Sequence, residues 1–155
     1  MFPWFVERSA QKAGAVEVEG VPWTPLSRPL SESTLAVVTT AGVHLRSQPP
    51  FDMDDPDGDP SYRILPAAAP RGELVITHDY YDHSDAERDI NIVYPVDRLA
   101  ELREEGLIGA LAENNYGFMG HIDGRHVRTL IDETAPEVAR RLKSEGVDVA
   151  LLTPG

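Results

Sequence analysis

His78 and His83 stand among Asp79, Asp82, Asp85 and Asp89, in the segment His78-Asp-Tyr-Tyr-Asp-His-Ser-Asp85 and the residues just after it. Imidazoles and carboxylates gathered this densely behind an apolar run can exchange protons near neutral pH, or they can ligate a divalent cation. The same residues also suit a polar loop in which aspartates cap turns and histidines bond locally. His44 ends a second candidate segment, Thr39-Thr-Ala-Gly-Val-His44, in which a strand followed by a glycine can bring a side chain to the edge of a sheet. That segment has neither G-x-G-x-x-G nor a Walker lysine, so it is not a nucleotide cradle. Tyr116, with Phe118 and Met119, either lines a pocket or fills core.

The His78/His83 spacing resembles, imperfectly, the His-x-His-x-Asp-His motif of metallo-β-lactamase-fold hydrolases. Tyr80 occupies the middle histidine's place, and a catalytic zinc needs three converging protein ligands. A metal-dependent hydrolase or metal-binding domain built on His78 and His83 therefore stands as an alternative reading, and a non-catalytic binding module as another; no metal-ligand set is assigned. The run from Asp52 to Asp59 looks like an acidic calcium loop but lacks the bidentate glutamate at its twelfth position, and Pro56 disturbs the turn. A solvated Asp/Pro/Gly turn cluster is expected there.

Composition narrows the classes. The chain has 155 residues, 14 basic against 26 acidic for a net charge of −12, and no cysteine. A surface this acidic argues against nucleic acid and against an anionic membrane as partners. Without cysteine there is no disulfide framework, no thiolate nucleophile and no zinc–thiolate site within these residues. The opening Met-Phe-Pro-Trp-Phe-Val-Glu-Arg has no basic region leading into an apolar stretch, and no apolar run reaches the roughly 20 residues a membrane helix needs. A cytoplasmic protein is expected.

The elements that must position these residues read as an α/β fold: an open, mostly parallel sheet with flanking helices, Rossmann- or flavodoxin-like. Residues 1–33 read as a Pro-rich extended arm, anchored by Trp4, Phe5, Val21, Trp23 and Leu26, and residues 34–155 as the α/β domain. Leu35 to Thr40 is a strand buried on both faces. Residues 49–70, rich in Pro, Asp and Gly, read as one long loop. Leu74 to His78 is a second strand, and Ile90 to Tyr94 a short strand or buried turn. A helix is predicted over 95–105, with Val96, Leu99 and Leu102 inward and Gly106 ending it. Ile108 to Leu111 reads as a short strand and 114–123 as an aromatic, glycine-containing loop. Thr134-Ala-Pro-Glu137 reads as a capping box opening a helix with Val138, Ala139 and Leu142 inward, which stops at Gly146. Val147 to Leu152 is a final buried strand. No covering helix follows it, so the domain reads as C-terminally incomplete, and its last strand as an edge open to self-association or a partner.

Several motifs, taken in order, resemble the selenoprotein B family of glycine, sarcosine, betaine and D-proline reductases, especially its shorter D-proline-reductase-like members. They are Val37-Val-Thr-Thr-Ala-Gly-Val-His-Leu45, Pro60-Ser-Tyr-Arg63, His78 to Asp85, Asp89-Ile-Asn91, Tyr94-Pro-Val-Asp-Arg-Leu99, Phe118-Met-Gly120, Asp132 to Glu137 and Gly146 to Pro154. The resemblance implies reductive cleavage of a C–N bond in an amino acid or betaine-like substrate. It also implies a selenocysteine or cysteine nucleophile, a pyruvoyl group on a partner subunit, and a thioredoxin-like electron donor. In relatives the redox residue follows the strand matching Val147 to Leu152, so it is expected just beyond Gly155, behind an in-frame UGA. By the same resemblance His44, His78, Asp82 and His83 are expected in catalysis, and Asp79, Asp89, Asn91 and Tyr116 around the substrate.

Overall fold

A computed structural model describes residues 24–155. The run of apolar and β-branched residues at its centre forms β1 (Thr34–Thr39), five of whose six residues are buried. After a glycine turn comes β2 (Val43–Leu45), and after the acidic loop β3 (Tyr62–Pro66) and β4 (Leu74–Ile76). The short α1 (Ser84–Arg88) and a 3-10 turn (Ile90–Ile92) lead into α2 (Val96–Glu104). Then come β5 (Ala110–Leu111), β6 (Asn114–Phe118), α3 (His126–Thr129), a π-turn (Leu130–Thr134), α4 (Ala135–Ser144) and β7 (Val149–Thr153).

The fold is α/β, with a mixed five-stranded sheet. β1 has β7 along one side and β5 followed by β6 along the other, all parallel, while β3 pairs antiparallel with β6. Alternation along β1 divides the core in two. Leu35 and Val37 pack with Leu65, Val93, Tyr94, Val96 and Leu99 beneath α2. Ala36 and Val38 pack with Tyr116, Phe118, Val138 and Leu142 beneath α4.

The predicted helix over 95–105 is present, with Val96 and Leu99 buried and Gly106 at φ 75° beyond its end. Other elements differ from expectation. The strand predicted at 74–78 is not in the sheet; it ends at Ile76 and pairs with β2 in a separate two-stranded antiparallel ribbon. Part of the long loop is β3, and much of the aromatic loop is the central strand β6. The capping box goes unused. The chain is already helical from His126, and Thr134 has αR backbone with no side-chain cap. Pro136 cannot donate into the preceding turn, and the widened π-turn just before it accommodates that loss. Ala139 is exposed. β7 is half-buried, with every second residue turned to solvent and Leu152 72% exposed, because no helix or strand among the described residues covers that side. Of the expected arm, Trp4, Phe5, Val21 and Trp23 lie outside the described residues, and Leu26 is exposed.

Candidate functional site

Ligands of open α/β sheets sit beyond the carboxyl ends of the parallel strands. Here those ends are Thr39 to Ala41 after β1, Met119 to His121 after β6 and Thr153 to Gly155 after β7. They are drawn together by short contacts. Thr40 N–H donates to Thr153 O (2.9 Å), Gly42 N–H to Phe118 O (2.9 Å), and the hydroxyls of Thr39 and Thr153 both donate to Val93 O (2.9 and 2.7 Å). Gly155 lies against Ala41 and Tyr81, with no room for a side chain at its present position.

The turn after β4 folds across this edge. His78 is 5% exposed and accepts the backbone N–H of Tyr80 at Nδ1 (3.2 Å). A Cβ at position 120 would stand 2.8 Å from its Nε2, so Gly120 lets the imidazole approach the end of β6. Burial lowers the His78 pKa, and the neighbouring imidazoles of His121 and His83 add to the lowering. Tyr81 packs edge-on to His78 (5.0 Å) and donates its hydroxyl to Ala41 O (3.1 Å); burial pushes that phenol up to about 12. Tyr80 stacks at 4.3 Å on His121, whose Nε2 meets Pro56 O at 2.9 Å. His83 lies edge-on to Tyr81 (5.5 Å), and its Nδ1 is 2.9 Å from Glu87 Oε1, too far off line for a hydrogen bond. Three imidazoles and two phenols therefore share the carboxyl edge. Such a set can donate hydrogen bonds to an anion and relay protons.

His78 and His83 are thus brought together, with Asp79 exposed beside them. The other expected residues are placed elsewhere. Asp82 accepts Ser84 N–H (3.0 Å) at the start of α1, and that bond holds its carboxyl below the usual range. Asp89 accepts the backbone and side-chain N–H groups of Asn91 (3.0 and 2.8 Å), which lower its pKa. Asn91 continues to Asp97 (3.0 Å), and Asp97 to Arg71 (2.9 Å). This network walls a separate cavity of about 630 Å³, also lined by Arg46 and Glu87. His44 has both ring nitrogens occupied, by Leu45 O (2.9 Å) and Thr77 Oγ1 (2.8 Å), and burial lowers its pKa. Tyr116 is fully buried beneath α4, with its hydroxyl toward Glu145 (3.3 Å). Sequence reasoning did not single out His121; its signal was a histidine directly behind the glycine that ends an aromatic run. Among the described residues no three His, Asp or Glu side chains converge closely enough to hold a metal ion, and no helix is long and apolar enough to cross a membrane. The acidic loop is a solvated turn cluster: Asp52 Oδ1 caps Asp54 N–H (2.9 Å), and Asp55 and Asp57 pair with Arg125.

Residues 15–155 match the family model for glycine/sarcosine/betaine reductase selenoprotein B. The chain is 43% identical over 133 residues to the D-proline reductase subunit gamma of Acetoanaerobium sticklandii, covering 86% of this chain and 53% of that protein. It is 31% identical over 135 residues to the glycine reductase complex component B subunit gamma of Carboxydothermus hydrogenoformans (86% and 30% covered). It is 30% identical over 138 residues to the betaine reductase complex component B subunit beta of Peptoclostridium acidaminophilum (80% and 28% covered). The chain thus spans about half the length of the first relative and about a third of the others. No solved structure matches it. With nearly its whole length matched, the chain belongs to the selenoprotein B family of glycine, sarcosine and betaine reductases.

Proposed function

We propose that these residues form part of a cytoplasmic reductase-complex subunit whose reactive site is the carboxyl edge of the sheet. One observation carries the reading: His78, Tyr80, Tyr81, His83 and His121 gather where β1, β6 and β7 end, in a chain of this family. The reaction is reductive cleavage of a C–N bond in D-proline or a related amino acid or betaine. Its two electrons come from a thioredoxin-like donor, and the substrate is presented by a pyruvoyl-bearing partner subunit. With no cysteine in these 155 residues, the nucleophile is a selenocysteine or cysteine from beyond Gly155. The donor set fits such a group: His78 is bonded at Nδ1 and makes no hydrogen bond at Nε2 to the described residues, beside the strand ends that Gly155 adjoins. A selenolate or thiolate supplies nucleophilicity at neutral pH.

In this reading His78, His83 and His121 are the proton-handling residues, and Asp79 tunes His78. Asp82, Asp89, Asn91, His44 and Tyr116 hold the surrounding elements in place. The test is to express the full-length subunit with its pyruvoyl partner and assay dithiol-dependent reduction of D-proline, glycine, sarcosine and betaine. Turnover of one of them, abolished by replacing the chalcogen residue, is the expected result. An assembled complex that reduces none of the four overturns the reading.

A further inference from the structure

We propose that His78 and His121 act as a complementary pair, His78 presenting an N–H to an anion and His121 a lone pair to a proton. This deepens the reading above and rests on its placement of the reactive site.

The argument is one of hydrogen-bond sense. A backbone N–H can only donate, so the bond from Tyr80 N–H makes His78 Nδ1 an acceptor and leaves the neutral ring's proton on Nε2. That Nε2–H makes no hydrogen bond to the described residues; the side chain is 5% exposed, and Nε2 is the atom it leaves accessible. That leaves the Nε2–H free to donate to a group that reaches the edge of the sheet. Charging the ring would break the Tyr80 bond and add a cation beside His83 and His121. Asp79 is the carboxylate that favours charging, and its effect is smaller than that of burial.

His121 is held the opposite way round. A carbonyl can only accept, so the contact with Pro56 O puts the proton on His121 Nε2, and Nδ1 of the neutral ring keeps its lone pair. Tyr80 touches both rings, at 5.9 Å from His78 and 4.3 Å from His121, so one phenol orders both. The groups facing His121 are thus Tyr80, the Pro56 carbonyl, the backbone of Gly58 and the neutral His78 ring.

Both rings carry the same tautomer but offer opposite atoms. A weak acid such as a selenol or thiol can then be activated without net charge entering the site. Its X–H bond breaks, the proton bonds to His121 Nδ1, and the electron pair stays on X, which accepts a hydrogen bond from His78 Nε2–H. The imidazolium formed on His121 remains anchored to the Pro56 carbonyl.

Two measurements test this. Long-range nitrogen–proton correlation spectra of the labelled chain should show both His78 and His121 as Nε2–H tautomers; a Nδ1–H signal from either neutral ring overturns the pair. In the assembled reductase, His121→Ala should lose about 100-fold in kcat and recover with added imidazole. His78→Gln, which keeps an N–H donor, should recover most of what His78→Ala loses. Failure of imidazole rescue, or equal loss in the two His78 variants, overturns the roles. A complex with no activity at all overturns the functional reading alone, and the tautomer spectra still decide the pair.

Discussion

Asn115 Oδ1 accepts the backbone N–H of Val37 across 2.7 Å, at the point where β5 hands over to β6 along one side of β1. The offset between paired residues grows from 76 at Thr34 and Leu35 to 78 at Val38 and Thr39. Two extra residues therefore interrupt the ladder, and a side-chain amide replaces the missing backbone acceptor. The amide's Nδ2 then donates to the buried hydroxyl of Tyr94 (2.9 Å).

Asn115→Ala leaves two buried partners unpaired and should destabilise the chain by about 2–4 kcal/mol. Tyr94→Phe should cost less, because the amide loses only one contact. The double variant should cost less than the sum of the two, since removing both partners spares one unsatisfied group. Denaturant unfolding of the four proteins checks this.

Gly117, two residues on, has no room for a side chain. A Cβ there would stand 2.2 Å from Val43 O, where β2 crosses the sheet. Gly117→Ala should cost more than about 3 kcal/mol or prevent folding, since backbone must move. Gly72→Ala is the control: nothing lies within 4 Å of its Cβ and its φ is ordinary. That substitution should be neutral, or stabilising by up to about 1 kcal/mol.

These two residues also show where the sequence stops being legible. β1, α2 and α4 announce themselves by apolar period, and each is present at the predicted place. Asn114-Asn-Tyr-Gly-Phe118 reads as a loop because Asn and Gly disfavour strands. Yet Asn115 patches a bulge that exists only once β5 and β6 flank β1, and Gly117 answers to a crossing strand that is distant in sequence. β3 was hidden in the same way, since it needs β6 to exist. In the candidate site, His78 and His83 are sequence neighbours and were visible as a cluster. His121 joins them only because β4 and β6 end on the same side of the fold.

The phenols of Tyr81, Tyr94 and Tyr116 are each pushed up to about 12, chiefly by burial. A proton held more tightly in the folded chain stabilises it below the unfolded tyrosine value of about 10, and that stabilisation is lost as pH rises through the folded value. Stability should therefore hold from neutral pH to about 10 and fall between 10 and 12. Tyrosinate absorbance should rise together with unfolding for these three, while Tyr94→Phe should soften the alkaline transition.

β7 has a free outer edge among the described residues, and Leu152 is 72% exposed while Leu151 packs against the core. Leu152→Lys should change stability by no more than about 0.5 kcal/mol. It should also reduce any concentration-dependent association, because a charge blunts an open edge. Leu151→Lys should cost about 3 kcal/mol, since it buries a charge against apolar side chains. Sedimentation and denaturant unfolding separate the two effects.

Asp55 ties the acidic loop to the segment that carries His121. Its Oδ2 takes His126 Nε2 (3.0 Å) and Arg125, while Asp57 O accepts Asp123 N–H (2.9 Å) and Gly58 bridges Ile122. The hydrogen bond with His126, then the Asp57 N–H, hold the Asp55 carboxyl below the usual range. A depressed carboxyl contributes stability above its unfolded value, about 3.9, and loses it as pH falls through the lower folded value. Hydrogen exchange of the Asp123 amide should therefore stay protected from neutral pH down through the ordinary carboxylate range and open only below it. Asp55→Ala should open the same amide at neutral pH and broaden the Nε2–H signal of His121, because the loop presenting Pro56 O has lost its tie. If that amide stays protected in the variant, Arg125 and Asp57 alone are enough to hold the loop.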